Sequence, residues 1–196
     1  MLSDNYKFWK NVWDAKGNSN SEDLLFLDGY DHLDAEFSSK KITNKIINNL
    51  KVEKGSSILE VACGCGFLAR DLNEDYNFVG VDYSESIIKK HKELFDHEVY
   101  VCESNNLKFK TDSFDYVFCY GLFQYLPDSD YAKQTIEEMS RVARKGVFIG
   151  DLKNIKTRET HFVMPKKQFI DFGFTIIDAE STNDGAERFS AFRRFE

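Results

Sequence analysis

Proline and cysteine are scarce in this sequence, and long apolar segments are missing. Only 2 of the 196 residues are proline and 4 are cysteine. No uninterrupted apolar run approaches the roughly 18 residues of a membrane-spanning helix, so no membrane span is predicted. The first 17 residues, MLSDNYKFWKNVWDAKG, carry Asp4 and Asp14 and lack the apolar centre of a secretory signal. We therefore expect a cytoplasmic protein with reduced thiols.

An excess of positive charge is also absent. The formal net charge is -7, so the surface as a whole does not attract nucleic acid, and DNA or RNA would need a local basic patch. Hydrophobic residues make up 42% and charged residues 30%, which is typical of a globular protein. The length suits one domain with a real core, and we expect a monomer or homodimer.

Short apolar runs alternate with amphipathic segments after about residue 57. The runs are rich in Val, Ile, Phe and Tyr, as strands are, and they span 57–62, 77–82, 99–102, 114–120, 146–151, 174–180 and 188–195. Helical patterns lie between them at 84–95, 130–144 and 165–174, and the second is expected to end with Arg144 and Lys145 in its last turn. This alternation predicts a mostly parallel sheet with helices on both faces.

The last two runs are separated only by a short loop that contains Asp-Gly, which predicts a hairpin. One strand near an edge should therefore be antiparallel. The predicted fold is α/β, a Rossmann-like three-layer sandwich with a mostly parallel seven-stranded sheet.

Residues 1–50 precede this unit and are predicted to be a helical extension or lid on a core of residues 51–196. Residues 34–50 and 5–14 show helical patterns. One side of the predicted 5–14 helix carries Tyr6, Trp9 and Trp13. They either close over a ligand or form an apolar stripe that packs on the sheet.

A glycine-containing loop follows the first strand, at the edge where ligands bind in open α/β sheets. It runs from Glu60 to Gly66, and the FLARDL segment after it is expected to begin a helix with free N–H groups. Asp82 ends the second strand and can accept hydrogen bonds from two vicinal ribose hydroxyls. Glu103 follows the third strand and can accept from an exocyclic amine. Acidic residues at three strand ends indicate a ligand with a ribose, a base and a positive group.

These motifs, at these spacings, resemble the class I S-adenosylmethionine-dependent methyltransferases. The family pattern after the first strand is Asp/Glu-x-Gly-x-Gly-x-Gly, and the match is Glu60-x-Ala62-x-Gly64-x-Gly66, with alanine at the first glycine. CESNNLKF at 102–109 and FDYVFCYGLFQYL at 114–126 are similar to two later motifs of the family. The resemblance covers about residues 40–196 and rests on four motifs in order.

The resemblance implies S-adenosylmethionine as the cofactor, with S-adenosylhomocysteine as its product. It also implies cofactor-binding roles for particular residues in all four motifs. The expected set is Glu60, Ala62, Cys63, Gly64, Gly66, Asp82, Tyr83, Glu103, Ser104, Cys119 and Leu122.

A metal site is the competing interpretation of the glycine loop, because Cys63 and Cys65 flank Gly64. The other two cysteines, Cys102 and Cys119, do not form the second close pair that structural zinc normally uses. We therefore predict no metal, and we interpret the thiols as small apolar residues.

Methyl transfer from a sulfonium needs a positioned nucleophile, and it needs a base only when the acceptor must lose a proton. Each of His32 and His161 is either a general base or a packing residue, and His91 and His97 are predicted to be structural. Further pocket candidates are Tyr30, Tyr120 and Gln124.

The stretch 151–170 is locally basic, which either favours an anionic acceptor or reflects a solvated loop. The predicted function is methyl transfer to the N or O of a small, anionic or nucleotide-linked metabolite. The alternatives are an RNA or protein methyltransferase and a non-catalytic cofactor-binding protein. No sequence like the Asn-Pro-Pro-Tyr tetrapeptide follows the fourth strand, which argues against methylation of a nucleobase amine.

Overall fold

A seven-stranded sheet forms the centre of the protein in a computed structural model that describes residues 3–30, 38–72, 75–181 and 187–195. The strands are β1 (Ser57–Val61), β2 (Asn77–Asp82), β3 (Glu98–Val101), β4 (Phe114–Tyr120), β5 (Ala143–Lys153), β6 (Thr175–Ser181) and β7 (Glu187–Arg194). The helices are α1 (Asp4–Gly17), α2 (Leu24–Leu27), α3 (Ser39–Leu50), α4 (Glu85–Leu94), α5 (Ser129–Val142) and α6 (Lys166–Asp171).

The strand order is β3-β2-β1-β4-β5-β7-β6. Strands β1 to β5 pair in parallel, whereas β7 is antiparallel to both of its neighbours, β5 and β6. The predicted mostly parallel sheet with one reversed strand next to an edge is therefore confirmed. The order reverses direction between β1 and β4, which is the switch point where α/β folds bind ligands.

Helices cover both faces of the sheet, as the alternating side chains of its central strands require. On one face, Leu59 and Val117 pack with residues of α5 and α6 such as Ile136 and Phe169. On the other face, Ile58, Tyr116 and Phe148 pack with side chains from α3 and α4. Near-continuous apolar strands follow from this arrangement, because neither face of the central strands meets water.

Short polar side chains mark the starts of the main helices. Ser84 precedes α4 and accepts from the backbone N–H of Ile87, and Asp128 precedes α5 and accepts from that of Tyr131 at 2.8 Å. Such caps satisfy N–H groups that have no partner within the helix. The helical patterns at 84–95 and 130–144 therefore begin close to where the sequence predicts.

Two predictions about helix extent are wrong. The FLARDL segment forms only a 3₁₀ turn, Ala69–Asp71, because β2 begins at Asn77 and leaves few residues for a helix. Helix α5 ends at Val142, and Arg144 and Lys145 lie in β5. Pairing of Ala143 with Phe114 of β4 starts the strand directly after the helix.

The N-terminal segment contains α1, which includes the predicted 5–14 helix, and α3. The first residues of the predicted 34–50 helix lie outside the described part of the chain, where α3 spans Ser39–Leu50. Helix α1 lies against α4, with Gly17 so close to the backbone of Ser86 and Ile87 that a Cβ would be 2.5 Å from them. Within the described ranges, no helix is long and apolar enough to cross a membrane.

Candidate functional site

A cavity of about 560 Å³ opens at the carboxyl ends of β1, β2, β4 and β5. Its wall includes the loop after β1, the ends of β2 and β4, and side chains of α1. The connection after β5 and the strand β7 close the far side, through Arg158 and Arg188. The volume lies within the usual range for sites that hold a small molecule or cofactor.

The loop after β1 has an unusual backbone that brings it close to its neighbours. Ala62, Gly64 and Gly66 all have positive φ angles, of 61°, 55° and 104°. A Cβ on Gly66 would lie 2.9 Å from the ring of Phe95, and one on Gly64 would collide with the carboxylate of Asp28. Glycine is therefore required at both positions by conformation and by space.

Three carboxylates surround this loop. Asp28 accepts from the backbone N–H of Cys65 at 2.6 Å and of Phe67 at 2.9 Å. Asp82 accepts from the backbone N–H of Gly64 at 3.3 Å and of Ser84 at 3.0 Å. Glu60 ends β1 and is 3% exposed, and its Oε2 has no hydrogen-bond partner among the described residues.

Burial and mutual repulsion favour the neutral forms of these carboxyls. Burial raises the pKa of Asp28 to about 7 and that of Asp82 to about 6. Burial also raises the pKa of Glu60 well above its ordinary value, and the charges of Asp28 and Asp82 add to this rise. A cation in the cavity would reverse this effect, so the cluster is suited to a positively charged ligand.

Aromatic side chains form the wall beyond β2 and β3. The ring of Tyr83 meets that of Tyr6 edge to face, with centroids 5.6 Å apart. Glu103 accepts from the hydroxyls of both Tyr6 and Tyr131, and burial together with these bonds raises the pKa of each tyrosine. Ser104 shares a hydrogen bond of 3.1 Å with Thr135 of α5. This end of the cavity offers flat rings against which a base could lie.

Several polar side chains lie around Gly121, which follows β4. The Tyr30 hydroxyl is 3.4 Å from the carbonyl of Tyr120 and would be 3.0 Å from a Cβ on Gly121. Gln124 Nε2 donates to Asp151 Oδ2 at 3.4 Å, and Asp151 also forms an ion pair with Arg188. Gln124 is 6% exposed, and no partner for its Oε1 occurs in the part of the chain that the structure covers. Because that oxygen can accept, the group suits a ligand with an N–H or O–H.

The loop after β5 contributes a histidine and cations. His161 stacks on the ring of Trp9, with centroids 5.5 Å apart, and its Nδ1 is 2.9 Å from the hydroxyl of Thr157. Lys153 donates to that same hydroxyl at 2.7 Å. This side of the wall thus combines an imidazole with Lys153 of β5, Arg158 of the loop and Arg188 of β7.

The sequence of the domain matches a known family. Residues 58–146 match the family model described as a methyltransferase domain. This part of the chain is a methyltransferase domain. Members of this family depend on S-adenosylmethionine.

Named relatives of this methyltransferase domain are enzymes that act on small molecules. The chain is 29% identical over 153 residues to demethylmenaquinone methyltransferase of Listeria welshimeri, a match that covers 71% of this chain. It spans only 62% of the length of that enzyme. It is 27% identical over 150 residues to phosphoethanolamine N-methyltransferase 1 of Zea mays, covering 73% of this chain and 29% of that protein.

A solved structure confirms the methyltransferase fold over the whole chain. Magnesium protoporphyrin IX methyltransferase from Synechocystis, crystallised with bound S-adenosylmethionine, superposes with a TM-score of 0.68. The superposition covers 100% of this chain and 99% of that one at 14% identity. At this identity the likeness supports the fold alone.

The methyltransferase cavity brings together most of the predicted site residues. Its wall contains Tyr30, Glu60, Ala62, Cys63, Gly64, Asp82, Tyr83, Ser104, Tyr120, Leu122, Gln124 and His161, together with Tyr6, Trp9 and Trp13. Gly66 packs behind the loop on Phe95, and Cys119 is fully buried in the core. Glu103 is engaged by two tyrosines. A cofactor or substrate contact stays a prediction for all of the expected residues, and His32 lies outside the described residues.

Three residues that line the cavity were not predicted as site residues from the sequence. Asp28 follows α2 in a short Asp-Gly turn, and no local pattern distinguishes it from an ordinary turn residue. Asp151 looks like one charge in a basic stretch, although its positive φ of 59° marks an unusual backbone. Arg188 looks like a strand residue. Contacts between distant segments define all three.

Proposed function

We propose that the protein binds S-adenosylmethionine and transfers its methyl group to the nitrogen or oxygen of a small anionic or nucleotide-linked metabolite. The unpartnered Oε2 of Glu60, buried in the cavity wall beside the glycine loop, is the observation that carries the proposal. A buried acceptor without a donor is costly, and the ammonium of the cofactor's amino-acid part would supply one. Glu60 would therefore hold the amino-acid end.

The ribose and the base would lie between β2 and α1. Asp82 already accepts two backbone N–H bonds, and a carboxylate has capacity for about four, so it could still receive the ribose hydroxyls. Tyr83 and Tyr6 would flank the base, and Glu103 would fix Tyr6 and Tyr131 in place. Within residues 1–50, helix α1 would then act as a lid, because Tyr6, Trp9 and Trp13 all line the cavity, whereas α3 packs on the sheet.

The chain's contribution to catalysis would be mainly positioning. The bound cofactor supplies a methyl group on a positively charged sulfur, which is already activated for displacement. Leu122 and Gln124 would place the acceptor in line with that methyl group and exclude water. Gln124 Oε1 would accept a hydrogen bond from the nucleophile, and His161 is the candidate base for a hydroxyl acceptor.

The anionic character of the acceptor is proposed from the basic side of the cavity. Lys153, Arg158 and Arg188 line that side. Two other lysines of the basic stretch 151–170 have contacts outside the cavity. Lys166 lies over the ring of Phe189, and Lys167 pairs with Asp171. The similarity to a phosphoethanolamine N-methyltransferase supports a small-molecule acceptor.

Calorimetric titration tests the cofactor assignment. We expect binding of S-adenosylmethionine and S-adenosylhomocysteine in the micromolar range, and no binding of NAD. Size-exclusion chromatography with light scattering would at the same time test the expected monomer or homodimer. Absence of heat with both sulfur nucleosides would refute the proposal.

A transfer assay with labelled S-adenosylmethionine tests the acceptor class. The panel should pair phosphorylated, nucleotide-linked and carboxylated amines or alcohols with their neutral analogues. Arg158→Met should raise the KM for anionic acceptors. Lys156→Met is the matched control, because Lys156 lies in the same exposed loop and loses the same charge away from the cavity wall. Equal turnover of neutral and anionic members would contradict the anionic class.

A further inference from the structure

One peptide unit of the glycine loop is held at both of its ends. The carbonyl of Gly64 is 2.8 Å from His91 Nδ1, and the N–H of the next residue, Cys65, donates to Asp28 at 2.6 Å. The C=O and N–H of a trans peptide point in opposite directions. His91 of α4 and Asp28 of the N-terminal segment therefore hold this peptide from opposite sides.

The hydrogen-bond chain determines the tautomer of His91. A carbonyl oxygen can only accept, so Nδ1 of His91 carries the hydrogen. Its Nε2 is 2.8 Å from His97 Nδ1 and must accept from that nitrogen. His91 is fully buried, and burial lowers its pKa to about 4, which agrees with the neutral ring that this chain requires.

The packing behind the loop leaves His91 little freedom. The rings of Phe95 and His97 are stacked with centroids 4.9 Å apart, and a Cβ on Gly66 would lie 3.2 Å from His91 Cε1. The imidazole therefore fills the space directly behind the loop. It lies on the opposite side from the cavity, whose wall contains Gly64 and Asp28.

We propose that His91, opposed by Asp28, is a positioning residue that holds the Gly64–Cys65 peptide in the orientation required for cofactor binding. The inference rests on the proposed binding of S-adenosylmethionine. His91 would act through the peptide and without touching the ligand. If the Gly64 carbonyl lost its donor, the peptide could rotate, and Gly64 would present a different surface to the cavity.

Binding of S-adenosylhomocysteine to the full chain tests this role, with thermal stability recorded for every variant. His91→Leu should weaken binding by about tenfold, because the Gly64 carbonyl loses its donor and the peptide is no longer held in the orientation that binds the ligand. His91→Asn places an amide N–H near the position of Nδ1 and should restore most of the affinity. Ile88→Ala, in the same helix, should lower the melting temperature while changing the affinity less than about threefold, since it removes only packing.

Amide hydrogen exchange of the ligand-free protein gives a second measurement. The amide of Cys65 should lose protection in His91→Leu, and His91→Asn should recover it. Wild-type affinity in His91→Leu, no rescue by His91→Asn, or an equal loss in Ile88→Ala would each overturn the role of His91 while leaving the proposed cofactor intact. A wild-type protein that binds neither sulfur nucleoside would overturn both proposals.

Discussion

The indole N–H of Trp9 donates to the carbonyl of Thr160 at 2.9 Å, which joins helix α1 to the loop after β5. The two residues are 151 positions apart in the sequence, and the same indole stacks on His161. The N-terminal helix is therefore attached to the proposed acceptor side as well as to α4. Ligand binding and the position of α1 should be coupled.

Tryptophan fluorescence should report this coupling. The chain has 2 tryptophans, Trp9 and Trp13, and both line the cavity. Titration with S-adenosylhomocysteine should change the emission of the wild type, with separate contributions lost in Trp9→Phe and Trp13→Phe. Trp9→Phe should also cost about 1 kcal/mol of unfolding free energy, because it removes one hydrogen bond and keeps most of the ring. Calorimetric binding without any change in emission would contradict the placement of both rings.

Asp82→Ala should weaken binding of S-adenosylhomocysteine. Loss of hydrogen bonds to a charged group costs about 1.5–3 kcal/mol, which corresponds to roughly 10- to 150-fold in the dissociation constant. Asp75→Ala is a suitable control, because Asp75 precedes the same strand at its other end and pairs on the surface with Lys54. Unchanged calorimetric affinity in Asp82→Ala would reject the ribose assignment.

The stability of the ligand-free protein should contain a pH-dependent contribution from Asp28. Its pKa is about 7 in the folded protein, above the ordinary 3.8, so the folded state binds more protons between these values. A carboxyl whose pKa is higher in the folded than in the unfolded protein stabilises the fold most at a pH below its unfolded pKa. This stabilisation is lost as the pH rises through the folded pKa. Wild type should therefore lose stability relative to Asp28→Asn between about pH 4 and 7.

Urea unfolding of both proteins across this range would measure the difference. Titrating groups away from the loop, such as His97, are present in both chains and cancel. The measured difference contains the titration of Asp28 together with its repulsion of Asp82 and Glu60. A difference that stays constant from pH 4 to 8 would show that Asp28 does not titrate in this window.

Arg188→Met should destabilise the fold by several kcal/mol. Arg188 and Asp151 form an ion pair in which both side chains are about one-tenth exposed. Removal of one partner from a buried pair typically costs about 3–5 kcal/mol, because the remaining charge is left in the interior. The double variant Arg188→Met/Asp151→Asn should regain part of this loss in urea unfolding.

Arg193→Met supplies the control for this prediction. Arg193 lies on the same strand, is exposed, and donates to the carbonyl of Phe172 at 3.0 Å. Its replacement should cost less than about 1 kcal/mol, as surface interactions usually do. Equal costs for the two arginines would contradict a special role for the buried pair.

All seven strands could be predicted because the physics that forms them is local. A strand buried on both faces must be apolar along its length, and the runs at 57–62 and 114–120 show this directly. The starts of α4 and α5 were predicted to within one residue, because the apolar periodicity of 84–95 and 130–144 is also local. The length of a helix was harder to predict. FLARDL has helix-forming residues, yet the start of β2 at Asn77 leaves room for only one turn.

The sequence by itself determined the succession of the seven strands along the chain, the glycine loop, and the acidic residues near the ends of β1 and β2. These features follow from periodicity, turn chemistry and spacing within short segments. Only the tertiary structure decided that Asp28 and His91 hold one peptide from two sides, and that Gln124, Asp151 and Arg188 meet. Such contacts depend on packing between segments far apart in the chain, and no local pattern encodes which side chains face each other across a cavity.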